Sequence, residues 1–302
     1  MHYLEVVKYL PKNSYVSLNV KDLYHTDFLS YSVDGSNEKL ETNSINFSNI
    51  NCIWVRRIVC PELRKTEDYF INDTFKSLIF GASMVNKNIV YFPKIHNVLL
   101  ADNKIYELHL AKKYGLNIPK TIIGNSVKQV KEFCKDKKEI IIKPLDRAVQ
   151  TDQSGNKKTM STVLMKTSDF ISHINLVQNL PVIVQESIKK LFELRITIID
   201  KKVFACEIHS QDTDNEQTKI DYRGDKNIPH KIHDLPKEIE QKLFAIMEEM
   251  KIDFGCVDMI VTPDNEYVFL EINMNGQWLW IERFTGMPIA KAIADKLLST
   301  DI

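Results

Sequence analysis

The chain is predicted to be an α/β (α+β) protein with helices and strands in mixed order. Three observations carry this. Apolar residues recur at helical spacing in several segments. Short apolar runs bounded by turn residues lie between those segments. The second half holds strand pairs joined by tight connections, "ELRITIID" with "KKVFACEIHSQ" and "CVDMIVT" with "YVFLEIN".

In chain order, "NCIWVRRIV" (51–59) reads as a strand and "NDTFKSLIFGASM" (72–84) as a helix. A further helix starts near Asp102 or Asn103. Asp102 is its expected N-cap, Ile105 and Leu108 its apolar face and Gly115 its stop. "IPKTIIGN" and "EIIIKPL" are strands on either side of a helix near 126–136. Residues 146–162 are polar and carry no aliphatic run, so a mobile loop or exposed hairpin is expected. "PVIVQESI" is a strand, a helix follows near 236–250, and "MPIAKAIADKLLST" closes the chain as a helix. Pro288 stands near its first turn, with Ile289, Ile293 and Leu297 along one face.

The 302 residues allow two or three domains, and 44% hydrophobic with 26% charged residues describe an ordinary globular chain. Lys+Arg equals Asp+Glu at 40 each, so no global charge draws the chain to nucleic acid or membrane. Five scattered cysteines form no CxxC pair, and the N-terminus does not read as a secretion signal; a cytoplasmic location is expected. No run of about 18 apolar residues occurs. There is no GxGxxG or Walker-type loop, so a bound nucleotide needs another cradle.

The stretch "VFLEINMNGQWLW" (268–280) places Glu271 and Asn273 in an apolar strand. If Asp264 and Asn265 are the central residues of a tight turn, the pairs run Val261–Val268, Ile260–Phe269, Met259–Leu270 and Asp258–Glu271. Asn273 then shares their face. Like charges opposed at ~5 Å destabilise a sheet unless something compensates. Two carboxylates and an amide oxygen suit Mg²⁺, which prefers hard oxygen ligands and phosphate. The competing reading is a solvated face with incidental acids.

Cations complement this set. Lys143 closes the apolar run Ile140–Ile142, and the alternative for it is a snorkelling lysine at a strand end. Lys104 sits in the first turn of its helix, where it gains nothing from the dipole but can face an anion. Glu193 and Arg195 share one face of "FELRITII", suited to hydroxyls and to a phosphate or carboxylate, or to a surface salt bridge. Arg223 lies in a loop.

The ordered set "NK" before a helix, "IIIKP", "VQESI", "ELRI", "DYR", "GCVDM" and "FLEINMNGQW" resembles the ATP-grasp ligases. The last third looks like the ATP-grasp ribosomal-peptide maturases, the microviridin-type or graspetide macrocyclases. The resemblance spans about 100–297 and is thin before residue 95. It implies a three-part fold, with an N-terminal α/β domain (1–98), a central subdomain (99–184) and a C-terminal subdomain (185–302), and ATP between the last two. It implies that Lys104 and Lys143 contact phosphates. Gln185, Glu186, Ser187 and Ile188 would form the adenine hinge, and Glu193 would reach the ribose. Arg195 and Arg223 would face the reacting centre, and Asp258, Glu271 and Asn273 would hold Mg²⁺. Two departures stand out. The usual opening strand and polar loop are not read in "MHYLEVVKYL", so a missing or altered first element is expected, and Arg283 stands where an acidic or neutral residue is expected.

The activity implied is ATP-dependent formation of acyl phosphates on Asp or Glu side chains of a precursor peptide, leader plus core. Ser, Thr or Lys side chains then close ω-ester or ω-amide rings. Lys157 and Lys158 in the polar loop are candidates to close over the phosphates. No nucleic-acid or membrane partner is expected, and a homodimer is left open. The rival readings are a ligase adding an amino acid to a peptide or small molecule, and a module that binds ATP and peptide without turnover. A two-metal phosphatase lacks paired histidine ligands.

Overall fold

The computed structural model describes residues 2–18, 22–23, 27–43, 45, 49–56, 68–85, 89–94, 97, 101–145, 149–151, 157–159, 162–224 and 228–299. The first part contains α1 (His2–Val6), the hairpin β1 (Ser30–Asp34) and β2 (Asn37–Glu41), and β3 (Cys52–Trp54) paired in parallel with β4 (Val90–Phe92). A parallel pair needs a crossover, and α2 (Asp68–Val85) lies between the two strands in sequence. Of the strand read at 51–59, Cys52–Trp54 is formed and 57–59 lie outside the described residues.

The middle of the chain runs α3 (Lys104–Lys113), β5 (Thr121–Gly124), α4 (Val127–Cys134), β6 (Glu139–Pro144), β7 (Val149–Thr151), β8 (Lys157–Thr159), β9 (Val163–Lys166), α5 (Thr167–Ser172) and β10 (Val182–Glu186). An antiparallel sheet forms in the order β5-β10-β6-β9. Ser126 caps α4 by accepting the Gln129 amide at 3.4 Å. Val130 and Cys134 of α4, with Phe170 and Ile174, bury the sheet face that carries Ile140 and Val184. Strand alternation sends Ile141, Lys143, Ile183 and Gln185 to the opposite face, where Ile183 stands beside Lys143 and Gln185 beside Ile141. Within the polar stretch 146–162, β7 and β8 pair as a hairpin, with Thr151 opposite Lys157 and Gln150 opposite Lys158; the connecting residues lie outside the described ones.

The last part runs β11 (Phe192–Ile199), β12 (Lys202–Ile208), α6 (Glu216–Ile220), β13 (His230–His233), α7 (Lys237–Glu249), β14 (Phe254–Val261), β15 (Tyr267–Asn273), α8 (Leu279–Thr285) and α9 (Ile289–Leu298). Its antiparallel sheet has the order β13-β12-β11-β14-β15. Leu194, Ile196, Ile198, Val257, Met259 and Phe269 cover one face and meet Leu243, Ile246 and Met247 of α7. Each such side chain, fully buried, stabilises by about 1.5–3 kcal/mol. The other face is covered at one end by α8 and α9, where Trp278, Ile281, Ile289 and Ile293 pack on Phe254 and Cys256. Glu193, Arg195, Asp258 and Glu271 belong to this same face.

Three local expectations are corrected. Asn103, not Asp102, caps α3: its Oδ1 accepts the amides of Ile105 and Tyr106, both at 3.1 Å. The face of α3 that is buried carries Glu107, Leu110 and Ala111, whereas Ile105 is 56% exposed. That face joins the core of the five-stranded sheet although α3 falls in the stretch 99–184, and β10 runs across the 184/185 position. In the β14–β15 hairpin the turn is wider than expected. Thr262 donates to the Glu266 carbonyl at 3.0 Å, Pro263, Asp264 and Asn265 form the tip, and Asn265 adopts φ 61°. The pairs near the turn are therefore Val261–Tyr267, Ile260–Val268 and Met259–Phe269. A bulge at Leu270 then restores the expected pair Asp258–Glu271. The two irregularities cancel.

Candidate active site

Three adjacent strands align the charged residues in one row. Arg195 on β11 pairs with Asp258 on β14, which pairs with Glu271 on β15. Arg195 Nη1 donates to both Asp258 oxygens, at 2.9 and 2.7 Å, and Nη2 donates to the Gln277 carbonyl at 3.3 Å. Lys104 Nζ lies 3.1 Å from Glu271. The same ammonium donates to both Glu107 oxygens at 3.0 and 3.2 Å, and Glu107 accepts the Ile272 amide at 3.1 Å. Each of the two facing carboxylates thus has its own cation, which supplies the compensation that like-charge pairing demands.

The electrostatics follow from burial and neighbours. Burial raises the Glu271 pKa, but Lys104, Lys143 and Arg223 outweigh it and hold the group down at about 2. Burial pushes Asp258 up, against the pull of Arg195 and with the push of Glu271. Glu107, fully buried, is pushed up to about 7 by desolvation, with Lys104 opposing. Burial lowers the Lys143 pKa; Glu271 and Asp258 oppose that, so Lys143 on the four-stranded sheet senses the acids of the five-stranded one. The Lys143 ammonium makes no hydrogen bond among the described residues, although its backbone lies in the sheet opposite Ile183.

Other predicted residues take separate places. Glu193 is buried on the Arg195 face, but its oxygens accept from Lys190, at 2.6 Å, and from Ser210. Gln185 is buried and donates to Thr121 Oγ1 at 2.9 Å. Glu186 Oε1 accepts the Lys120 amide at 2.7 Å. Ser187 is exposed and Ile188 half-buried, and both belong to the segment linking β10 to β11. Arg223 is exposed and paired with Asp221 at 2.7 Å, yet its charge reaches Asp258 and Glu271. Asn273 accepts the Asn275 amide at 2.9 Å.

Several residues here escaped the sequence reading. Glu107 is an acid in the first turn of α3, and its spacing of three from Lys104 was the available signal. Lys190 and Ser210 hold Glu193 from separate segments. Gly276 is required by close approach: a Cβ there would lie 2.3 Å from Cys256 Cβ and 2.8 Å from Arg195 Nη2.

The donor set suits a small divalent cation. Asp258, Glu271 and Asn273 supply hard oxygens, and neighbouring Asn275 has a buried Oδ1 with no hydrogen-bond partner among the described residues. No cluster of three or more His, Cys, Asp and Glu ligands occurs among the described residues. No helix among them is long and apolar enough to cross a membrane.

Residues 101–297 match the family described as RimK-like ATP-grasp domain. Among solved structures, the chain is similar to a RiPP-associated ATP-grasp ligase of Chryseobacterium gregarium, in complex with ADP and a leader and core peptide. The two share 26% identity over 99% of this chain and 93% of that one, with a TM-score of 0.82. It is similar to macrocyclase MdnC of Microcystis aeruginosa, bound with precursor peptide MdnA, at 24% identity over 99% and 96% of the chains and a TM-score of 0.80. A third is the ATP-grasp ligase PsnB, complexed with a precursor variant, Mg and ADP, at 15% identity over 99% and 94% and a TM-score of 0.73. Comparison with curated proteins gives no match.

Proposed function

The chain belongs to the RimK-like ATP-grasp family, and on that premise we propose that it uses ATP to activate Asp or Glu side chains of a ribosomally made precursor peptide and closes ω-ester or ω-amide rings with Ser, Thr or Lys side chains. The observation that carries this reading is the row Arg195–Asp258–Glu271 with Lys104 at its end and Lys143 on the other sheet. It offers paired acids and several cations around one point, the arrangement phosphoryl transfer needs. The peptide substrate is supported by the complexes of the C. gregarium ligase and MdnC with their peptides.

ATP lies, in this reading, between the four-stranded and five-stranded sheets, the central (99–184) and C-terminal (185–302) parts. Lys104 and Lys143 bind its phosphates. Gln185, Glu186, Ser187 and Ile188 present backbone and side-chain groups to adenine, and Glu193, steadied by Lys190 and Ser210, takes the ribose. Asp258, Glu271 and Asn273 would hold Mg²⁺, which supplies charge neutralisation at the transferred phosphoryl group. Arg195 and Arg223 orient the substrate carboxylate toward the γ-phosphate. Attack by the carboxylate oxygen breaks the bond from the γ-phosphorus to the bridging oxygen and releases ADP. The resulting acyl phosphate is attacked by the hydroxyl or amine, which loses a proton as inorganic phosphate leaves. Hydroxylamine added during turnover tests this: a hydroxamate on Asp or Glu is expected, and its absence alongside ADP release would contradict the mechanism.

A further inference from the structure

Beside the reacting centre lies a run of rings that the chemistry above leaves without a task. Tyr222 meets Trp280 at 5.8 Å between centroids, Trp280 meets His230 at 5.5 Å, and His230 stacks on Phe284 at 4.4 Å with 3° between planes. The run is anchored to the centre at one end twice over. Tyr222 is followed directly by Arg223, and its hydroxyl is pushed up in pKa by burial, with Asp258 adding to the shift. Trp280 Nε1 donates to the Gln277 carbonyl at 3.2 Å, the same carbonyl that accepts Arg195 Nη2. The other end is open: Phe284 is 51% exposed. Burial also lowers the His230 pKa, which favours a neutral ring in the stack.

The Phe284 ring thus offers one face to His230 and leaves about half its surface to solvent. Exposed aromatics continuous with a reacting centre supply large apolar contact at small conformational cost. We propose that Tyr222, Trp280, His230 and Phe284 form a subsite that holds an aromatic or large apolar side chain of the peptide substrate near its reacting carboxylate. The occupant is peptide because the strip continues from Arg223 and Arg195, which this account assigns to the substrate carboxylate; the inference therefore rests on the ligase reading.

The test uses the full chain with ADP and Mg²⁺ and capped heptapeptides, each with one Glu. Phe or Ser is placed in turn at each of the three positions on either side. Dissociation constants are read by ligand-observed NMR. At one or more positions the Phe peptide is expected to bind about tenfold more tightly than its Ser counterpart. Phe284→Ser, at an exposed position, should erase that preference without changing ADP affinity. Equal binding of Phe and Ser peptides at every position, or a preference unchanged in Phe284→Ser, overturns the subsite. The ligase reading fails by a separate readout, when no acidic peptide yields a hydroxamate with ATP, whatever the binding preference.

Discussion

Asp258 and Glu271 stand directly opposite one another on β14 and β15, and each is answered by a different cation, Arg195 at 2.7 Å and Lys104 at 3.1 Å. The pair is held together by flanking charges rather than by solvent. Two consequences follow for variants. Glu271→Gln should abolish ATP-dependent ADP formation. In metal-free buffer it should lower stability by only about 1–2 kcal/mol, because Lys104 keeps Glu107 as a partner and one like-charge repulsion is relieved. ADP release at the wild-type rate would remove Glu271 from the metal set.

Gly276→Ala forces a methyl group into Cys256 and the Arg195 guanidinium. A loss of about 1–3 kcal/mol in stability is expected from overpacking, with a larger loss in ATP turnover because Arg195 must move. A denaturant titration and an ADP assay on the same sample measure both. Unchanged turnover would show that Arg195 need not hold its position.

Glu107 gives a pH signature. Its folded pKa of about 7 lies above the ordinary carboxylate value, so the folded state binds the proton more tightly than the unfolded chain. That stabilisation is fully present below about pH 4.5 and is lost as pH rises through 7. Glu107→Gln should remove this fall, of order 3 kcal/mol, from the stability profile between about pH 4.5 and 7 in metal-free buffer. Parallel profiles for the two proteins would contradict the assignment.

Lys143→Ala should weaken ATP binding, measured by calorimetry, by roughly 1.5–3 kcal/mol, the worth of a charge-assisted contact. An unchanged affinity would return Lys143 to a snorkelling strand-end lysine.

The strands that carry the row were legible because alternation in "FELRITII" and "GCVDMIV" separates Leu194, Ile196, Val257 and Met259 from Arg195 and Asp258. The pair Asp258–Glu271 was legible for a partly wrong reason: a two-residue turn gives the same pair as the wider turn and the Leu270 bulge together. Local pattern does not reveal a bulge whose effect cancels that of the turn. The Lys104 spacing hinted at an ion pair for Glu107, but its burial was illegible because it depends on the Ile272 amide, from a strand far along the chain. For the same reason Ile105 was assigned to the buried face: helical periodicity finds an apolar side but not which acid a neighbouring strand will satisfy. Lys190 stands three residues before Glu193 and Ser210 seventeen after it, and neither lies in the strand whose alternation places Glu193.

Ring closure driven by ATP is read by mass spectrometry of a candidate precursor peptide incubated with the protein, ATP and Mg²⁺. One water is expected to be lost for each ring with one ATP consumed per ring, and none with Arg223→Ala even though that variant still binds ATP. A precursor that never loses water and instead gains the mass of an amino acid would rule out macrocyclisation and establish an amino-acid ligase in its place.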